Sequence, residues 1–82
     1  MVKVQYDPSF EKTIRKISDE SLKLRVKKQI QKIIKNPEIG KPMRYTRKGT
    51  REVYIAPFRL AYTYSKNEDT IIFLELYHKD KQ

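Results

Sequence analysis

The residues best suited to chemistry are the basic side chains concentrated between positions 41 and 59. Six residues of this segment are basic, and one, Glu52, is acidic. The basic residues are Lys41, Arg44, Arg47, Lys48, Arg51 and Arg59. The accompanying aromatic residues are Tyr45, Tyr54, Phe58 and, further along the chain, Tyr77. Positive charge combined with aromatic rings is typical of surfaces that bind single-stranded nucleic acid, although tyrosine also favours strands for structural reasons alone.

Arg59 stands out because it lies within a segment that otherwise has the pattern of a buried strand. In residues 58–65, alternation places Phe58, Leu60, Tyr62 and Tyr64 on one face of a sheet. Arg59 then lies on the other face. A guanidinium in that position needs water, a carboxylate or a phosphate as its partner, and the neighbouring sequence is too basic to supply many carboxylates. The pattern therefore predicts an anionic ligand at Arg59.

Cleavage of RNA by its own 2′-hydroxyl is a reaction that these residues could support. The reaction requires that the hydroxyl is deprotonated, that the phosphorane charge is stabilised and that the leaving oxygen is protonated. The candidates for holding the charge are Arg59, Arg51 and Lys79. Histidine is the side chain that ordinarily changes charge near neutral pH, so His78, the one histidine, could transfer a proton. The alternative bases are Glu52 and Glu75, and Glu52 could instead pair with a basic residue on a neighbouring strand.

Composition limits the other functions that the chain could have. Its 82 residues predict a single domain over residues 1–82, and its net charge of +9 favours a polyanionic partner. With no cysteine and one histidine, disulfides, thiolate metal sites and multi-histidine zinc sites are excluded, and we expect no cofactor. With two glycines, a P-loop is excluded. The sequence has no apolar run of membrane length and no signal-peptide pattern, so we expect a cytoplasmic protein.

The amino-terminal half predicts a strand followed by two amphipathic helices. Residues 2–6 have the pattern of a short strand, after which Asp7 and Pro8 are suited to cap and begin a helix. The apolar positions of this first helix are Phe10, Ile14 and Ile17. Asp19 is suited to cap a second helix, which Asn36 and Pro37 should end. Its apolar positions are Leu22, Val26, Ile30, Ile33 and Ile34.

The carboxy-terminal half predicts an antiparallel sheet. Its expected strands are residues 43–46, 51–55, 58–65 and 70–77, with a tight turn at Ala56 and Pro57. In the last strand we expect Ile72, Leu74 and Leu76 to face the helices, and the opposite face to be open near its carboxy-terminal end, at Glu75, Tyr77 and Lys79. The predicted fold class is α+β, with the amino-terminal strand and the two-helix hairpin packed on the antiparallel sheet.

Taken together, these segments resemble the RelE/ParE toxin superfamily. The resemblance lies in "FEKTIRKI", in "KPMRYTRKGTREVYIAPFRLAY" and in the closing "IIFLELYHK", and it covers essentially the whole chain. It implies a small α+β fold of the microbial ribonuclease type, with helices behind an antiparallel sheet whose concave face is basic. RelE-like members cut messenger RNA in the ribosomal A site, whereas ParE-like members poison DNA gyrase. A catalytically weak RNA-binding relative is a further alternative.

The resemblance also implies roles for individual residues. Arg59 would stabilise phosphate charge, Lys79 would supply a second cation, and His78 would act as acid or base. The best-studied nucleases carry lysines on the preceding strand, where this sequence has Thr50, Glu52 and Tyr54. Their place could be taken, from a shifted register, by Arg51, Arg47 or Lys48. The residues expected to bind RNA are Arg44, Arg47, Lys48, Tyr54 and Tyr77.

The same resemblance implies partners. These are the ribosome with its messenger RNA, and a cognate antitoxin of the RelB type, which we expect to be acidic and helical because it must cover a basic face. Operator DNA would be bound by the toxin–antitoxin complex through the antitoxin.

Overall fold

Two helices cover one face of a mixed β-sheet in a computed structural model of the chain, which describes residues 2–43 and 49–81. Within these residues the elements are β1 (Lys3–Tyr6), α1 (Pro8–Lys16), α2 (Glu20–Lys35), β2 (Lys41–Pro42), β3 (Thr50–Ile55), β4 (Phe58–Ser65), β5 (Thr70–His78) and a 3₁₀ turn (Lys79–Lys81). The predicted α+β class, with a strand and helical hairpin packed on a sheet, is confirmed.

The strands of the described residues lie in the order β1-β5-β4-β3-β2. β5, β4, β3 and β2 pair antiparallel, as predicted, but β1 runs parallel to β5. The sheet is therefore mixed rather than purely antiparallel. A parallel pair needs a long crossover connection, and the helical hairpin begins the connection that carries the chain from β1 to β5.

The helices begin and end where their capping residues predict. The Asp7 carboxylate accepts a hydrogen bond from the Ser9 backbone N–H (2.9 Å), and Pro8 occupies the first helical turn. Asp19 caps α2 in the same way, and that helix ends at Asn36. The helices bury Phe10, Leu22, Val26 and Ile33, because these apolar positions recur with the helical period, whereas Leu24 is exposed. The buried core includes Phe10, Leu22, Val26, Ile33, Leu60, Tyr62, Ile71 and Phe73.

A β-bulge in β5 changes which of its residues face the helices. Ala61 of β4 is opposite Glu75, but the next residue, Tyr62, is opposite Phe73, so Leu74 is an extra residue without a cross-strand partner. The Ser9 hydroxyl donates to the Leu74 carbonyl (3.1 Å). As a result Ile71 and Phe73 are buried beneath the helices, together with Leu76 beyond the bulge. The expectation that Ile72 and Leu74 face the helices is therefore wrong, whereas that for Leu76 is confirmed.

The connector between α2 and β3 is partly described. Lys41 and Pro42 form β2, opposite Glu52 and Arg51 of β3. The predicted strand at residues 43–46, and the expected RNA-binding residues Arg44, Arg47 and Lys48, lie largely or wholly outside the described residues. In the described part of the chain, no helix is long and apolar enough to cross a membrane.

Candidate functional site

A pocket of about 390 Å³ lies on the sheet face that the helices leave open. The described residues that line it are Lys41, Glu52, Tyr54, Arg59 and Lys79. They come from β2, β3, β4 and the 3₁₀ turn, so four separate segments contribute to one site.

Strand register brings these side chains together. Lys41 is opposite Glu52, Tyr54 is opposite Arg59, and Arg59 is opposite Tyr77. Directly opposed residues of antiparallel strands point to the same face of the sheet. The register therefore forms two neighbouring rows on the open face, one with Lys41 and Glu52 and the other with Tyr54, Arg59 and Tyr77.

Lys79 reaches the same pocket from beyond the end of β5. Its backbone N–H donates to the carbonyl of Pro57 (3.0 Å), in the turn between β3 and β4. This hydrogen bond holds the start of the 3₁₀ turn beside the start of β4, the strand that carries Arg59. The strand alternation thus places Arg59 and Tyr77 on the open face, as expected from the sequence, and their functional roles stay predictions.

Glu52 is the centre of the hydrogen-bond network in this pocket. The Arg59 guanidinium donates through Nη1 to Oε1 of Glu52 (3.0 Å), and the Tyr77 hydroxyl donates to Oε2. The Glu52 side chain is 13% exposed, whereas that of Arg59 is 36% exposed. Both carboxylate oxygens of Glu52 therefore accept a hydrogen bond, and the Arg59 guanidinium remains accessible to solvent.

The charge of the pocket suits a phosphate-bearing ligand. Of the described lining residues, three are cationic (Lys41, Arg59 and Lys79) and Glu52 alone is anionic, so the lining carries excess positive charge. Guanidinium and ammonium groups are the usual protein partners of phosphate oxygens. Tyr54 is 54% exposed and offers a ring on which a base could stack. Among the described residues, no cluster of histidine and acidic side chains could hold a metal ion.

Arg51 does not belong to this pocket, contrary to its predicted place beside Arg59. The pairing of β3 with β4 has no shift in register, so the Arg51 side chain points to the helix-covered face, as those of Val53 and Ile55 do. Its Nη1 donates to the carbonyls of Glu38 (2.9 Å) and Gly40 (2.8 Å). The guanidinium therefore satisfies backbone groups of the loop that precedes β2.

Tyr62 anchors the same loop from within the core. Its hydroxyl donates to the Pro37 carbonyl (2.8 Å) and accepts from the Gly40 N–H (2.9 Å). Burial raises the pKa of this hydroxyl, and the Gly40 hydrogen bond and the Arg51 charge lower it by less. A Cβ on residue 40 would lie 2.6 Å from the hydroxyl oxygen, so glycine is needed for this close approach. Together the side chains of Arg51 and Tyr62 fix the backbone immediately before Lys41.

His78 also lies away from the pocket. It is opposite Phe58, one position along from the Arg59–Tyr77 pair, and therefore points to the other face of the sheet. Its ring contacts the Phe58 ring edge-on at 5.5 Å, and its Nδ1 accepts a hydrogen bond from the Asp80 N–H (3.2 Å). The structure thus does not bring His78 and Arg59 together, as a shared catalytic role would require.

Two residues of the pocket were not assigned to it from the sequence. Lys41 was counted as part of the basic segment without a role, and Glu52 was considered as a base or as a cross-strand partner. The cross-strand pairing is confirmed. Glu52 and Tyr54 are two residues apart on β3, so their side chains lie on the same face of the sheet. This alternation alone predicts that Glu52 accompanies Tyr54 on the open face. For Lys41, the sequence gives no such signal, because its position depends on the loop held by Arg51 and Tyr62.

A second, apolar depression lies on the opposite side of the molecule, between the two helices. It has a volume of about 590 Å³ and includes the apolar side chains of Phe10, Ile14, Val26 and Ile30. Charged residues at this depression are mostly basic: Arg15, Lys23 and Lys27, against Glu11.

Comparisons with known proteins agree on the family and the fold. The family model described as "ParE toxin of type II toxin-antitoxin system, parDE" matches residues 4–82. No curated protein sequence matches the chain significantly.

Solved structures similar to the chain include three toxins. The YoeB/ParE toxin from Agrobacterium tumefaciens has a TM-score of 0.83 at 14% identity, covering 94% of this chain and 98% of that one. The isolated E. coli RelE toxin has a TM-score of 0.82 at 13% identity, covering 100% and 88%. A chain of the toxin–antitoxin complex RelBE2 from Mycobacterium tuberculosis has a TM-score of 0.79 at 22% identity, covering 95% and 98%. At these identities the likeness shows the fold.

Proposed function

The chain belongs to the family of ParE toxins of type II toxin–antitoxin systems, and on this premise we propose that it is a toxin that stops translation by cleaving messenger RNA on the ribosome. The superfamily inferred from the sequence motifs is confirmed by the family match and by the shared fold. The observation that carries the proposed reaction is the pocket of the open face, whose described lining includes three cations and one carboxylate.

Arg59 is the residue that would stabilise the charge developing on the scissile phosphate. Its guanidinium is partly exposed and already binds a carboxylate, so it has the access and the geometry for an oxyanion. Lys41 and Lys79 line the same pocket and would contact the flanking phosphate oxygens. Positioned charges of this kind are the largest contributors to such reactions in most enzymes.

Glu52 is the group that would accept the proton of the 2′-hydroxyl. It is the carboxylate that lines the pocket within the described residues, and it contacts Arg59 directly. His78 was the sequence-based candidate for this step, but its ring lies on the other face of the sheet. The ribosome would hold the message in the orientation that this small, open pocket cannot impose by itself.

A helical antitoxin would use the apolar depression between α1 and α2. Its apolar lining suits the apolar stripe of an amphipathic helix, and its mostly basic rim favours acidic residues flanking that stripe. The charge therefore supports the expectation of an acidic, helical partner. Charge reversal at the exposed Arg15 and Lys27 should weaken such a complex while leaving the open-face pocket unchanged.

Inhibition of DNA gyrase is the second candidate function. The family model carries the name of the ParE toxins, which favours it. In that case the pocket would bind an acidic protein surface, and no RNA would be cut.

Induction of the protein in cells, with two readouts, separates these functions. Primer extension on translated messages reports new ends in the A site, and the topology of a reporter plasmid reports gyrase inhibition. The proposal predicts A-site ends with normal supercoiling. Relaxed plasmid without new RNA ends would instead establish the gyrase function.

Arg59→Ala is the decisive variant in both readouts, and Arg25→Ala is its matched control. Arg25 is exposed on α2, outside the pocket, and its substitution removes the same charge. We expect the Arg59 variant to lose the new RNA ends and the growth arrest, and the Arg25 variant to retain both. Full toxicity of a folded Arg59→Ala protein would contradict the site assignment.

A further inference from the structure

The Glu52 carboxylate occupies a donor group of Arg59 that a phosphate could use. Oε1 of Glu52 accepts from Nη1 of Arg59 at 3.0 Å, which is within the range expected for a phosphate oxygen. We propose that Glu52 is an internal competitor of the RNA phosphate, so that RNA binds at Arg59 only by displacing this carboxylate. The inference rests on the proposed function, because it takes an RNA phosphodiester as the ligand of Arg59.

Tyr77 keeps the competitor in place. Its hydroxyl donates to Oε2 of Glu52, so both carboxylate oxygens are engaged. The Glu52 side chain is also mostly buried, at 13% exposed, which limits the positions available to it. Because Tyr77 holds Oε2, Glu52 offers a single oxygen, Oε1, to Arg59. A phosphate that accepts two hydrogen bonds from the guanidinium could replace this single contact.

The surroundings of the ion pair show how displacement could occur. Lys41 and Lys79 line the same pocket and would attract an incoming phosphate before it reaches Arg59. Arg59 is 36% exposed, so the guanidinium can turn from Glu52 towards a ligand at the surface. Glu52 would then lose the partner that neutralises it while still lying beside the bound RNA. The same displacement would leave its Oε1 available to accept a proton.

Glu52→Gln tests the competition, because glutamine has the same shape but no charge. Its carbonyl can still accept a hydrogen bond, and the guanidinium left without an anionic partner remains accessible to water. The probe is a 2′-O-methyl RNA trinucleotide, which has phosphodiesters but no 2′-hydroxyl to attack them. Binding is followed by NMR at constant ionic strength, through the Nε–H signal of Arg59 and through backbone amides of β4. A partly exposed ion pair of this kind predicts that the variant binds about two- to fivefold more tightly than the wild type.

Glu68→Gln is the matched control. It removes the same charge from the turn at the far end of β4, where Ser65 is six residues from Arg59, or about 20 Å along an extended strand. That is more than two Debye lengths at physiological ionic strength, where the Debye length is about 8 Å, so the control should bind as the wild type does. The thermal unfolding of each variant is measured alongside. If Glu52→Gln does not fold, Glu52→Ala provides the same removal of charge.

The double variant Arg59→Ala/Glu52→Gln identifies the residue through which Glu52 acts. If Glu52 competes for Arg59, the gain from Glu52→Gln disappears when Arg59 is absent. Equal gains in both backgrounds, or an equal gain in Glu68→Gln, would show a general charge effect and overturn the inference. Unchanged or weaker binding by Glu52→Gln would overturn it as well.

A separate cleavage assay distinguishes this inference from the proposed function. If Glu52→Gln binds more tightly but the wild type never cleaves a ribosome-bound message, the competition stands and the nuclease function fails. If the wild type cleaves and Glu52→Gln does not bind more tightly, the competition alone fails. Where both are correct, Glu52→Gln binds RNA more tightly and cleaves it more slowly.

Discussion

Replacing Tyr62 by phenylalanine should destabilise the protein strongly, although it removes a single oxygen atom. The ring is fully buried, and its hydroxyl bridges the Pro37 carbonyl and the Gly40 N–H at 2.8 and 2.9 Å. Phenylalanine fills the same space, so the core should not collapse. The change therefore isolates the two hydrogen bonds that hold the loop before β2.

The expected loss follows from the groups left without partners. The Gly40 N–H would remain buried with no acceptor, which costs about 1–3 kcal/mol, and the partly buried Pro37 carbonyl would add about 0.5–1 kcal/mol. We expect the free energy of unfolding to fall by about 1.5–4 kcal/mol in total. For a domain of this size each kcal/mol corresponds to roughly 4–8 °C, so Tm should fall by roughly 6–32 °C.

Urea and thermal unfolding, followed by circular dichroism, measure this loss. Tyr64→Phe is the control, because Tyr64 lies on the same strand and packs partly buried against the core, and the described part of the chain shows no hydrogen bond to its hydroxyl. We expect this control to change stability by less than about 0.5 kcal/mol. The reasoning is refuted if Tyr62→Phe is as stable as the wild type, or if both variants lose stability equally.

Three further predictions concern the same loop and the helices. Gly40→Ala places a Cβ 2.6 Å from the Tyr62 hydroxyl oxygen and should lower the free energy of unfolding by about 1–3 kcal/mol, as measured by urea unfolding. A variant as stable as the wild type would show that the loop can move aside. Because burial raises the pKa of Tyr62, its protonated form is favoured in the folded state, so the stability difference between wild type and Tyr62→Phe should be constant below pH 10 and shrink above it. A difference that grows above pH 10 would contradict this sign. Asp19→Ala removes the acceptor for the Ser21 and Leu22 N–H groups and should lower the free energy of unfolding by about 1 kcal/mol. Asp19→Asn keeps an acceptor and should lower it much less. Equal losses of stability in the two variants would argue against a capping role.

The elements that short-range chemistry specifies could be predicted from the sequence. Asp7, Pro8 and Asp19 mark helix starts, because each provides a capping acceptor or a fixed φ angle at the position where it is required. Alternation in β4 correctly assigned Arg59 to the open face, because its apolar and polar positions differ clearly. These features depend on neighbours within a few residues.

The faces of β5 could not be predicted in the same way. Residues 71–74 are all apolar, so alternation does not indicate which of them are buried. A bulge at Leu74 then reverses the parity of the strand, and its position depends on contacts with β4 and with Ser9 of α1. Such contacts join residues far apart in the sequence.

The membership of the site was predictable only in part, for the same reason. Arg51 and Glu52 are adjacent basic and acidic residues, and strand register alone decides which of them faces Arg59. The register between β3 and β4 decides it: Glu52 is opposite Ala61 and therefore lies on the face of Arg59, whereas Arg51 is opposite Tyr62 and lies on the other face. The place of Lys41 opposite Glu52 depends in turn on a loop fixed by Tyr62. The residue type favours His78 as a proton carrier, because histidine is chemically suited to that role, but its position on β5 places it opposite Phe58 and away from Arg59.

The central claim is that the open-face pocket around Arg59 cleaves messenger RNA. The most direct test measures single-turnover cleavage of a 5′-labelled message bound to purified ribosomes, with wild type, Arg59→Ala and Arg25→Ala proteins at saturating concentration. Loss of one charge-stabilising group should slow the reaction about 100- to 1,000-fold in Arg59→Ala, and Arg25→Ala should cleave as the wild type does. Wild-type cleavage that persists undiminished in a folded Arg59→Ala protein, or no cleavage by the wild type at all, would contradict the account.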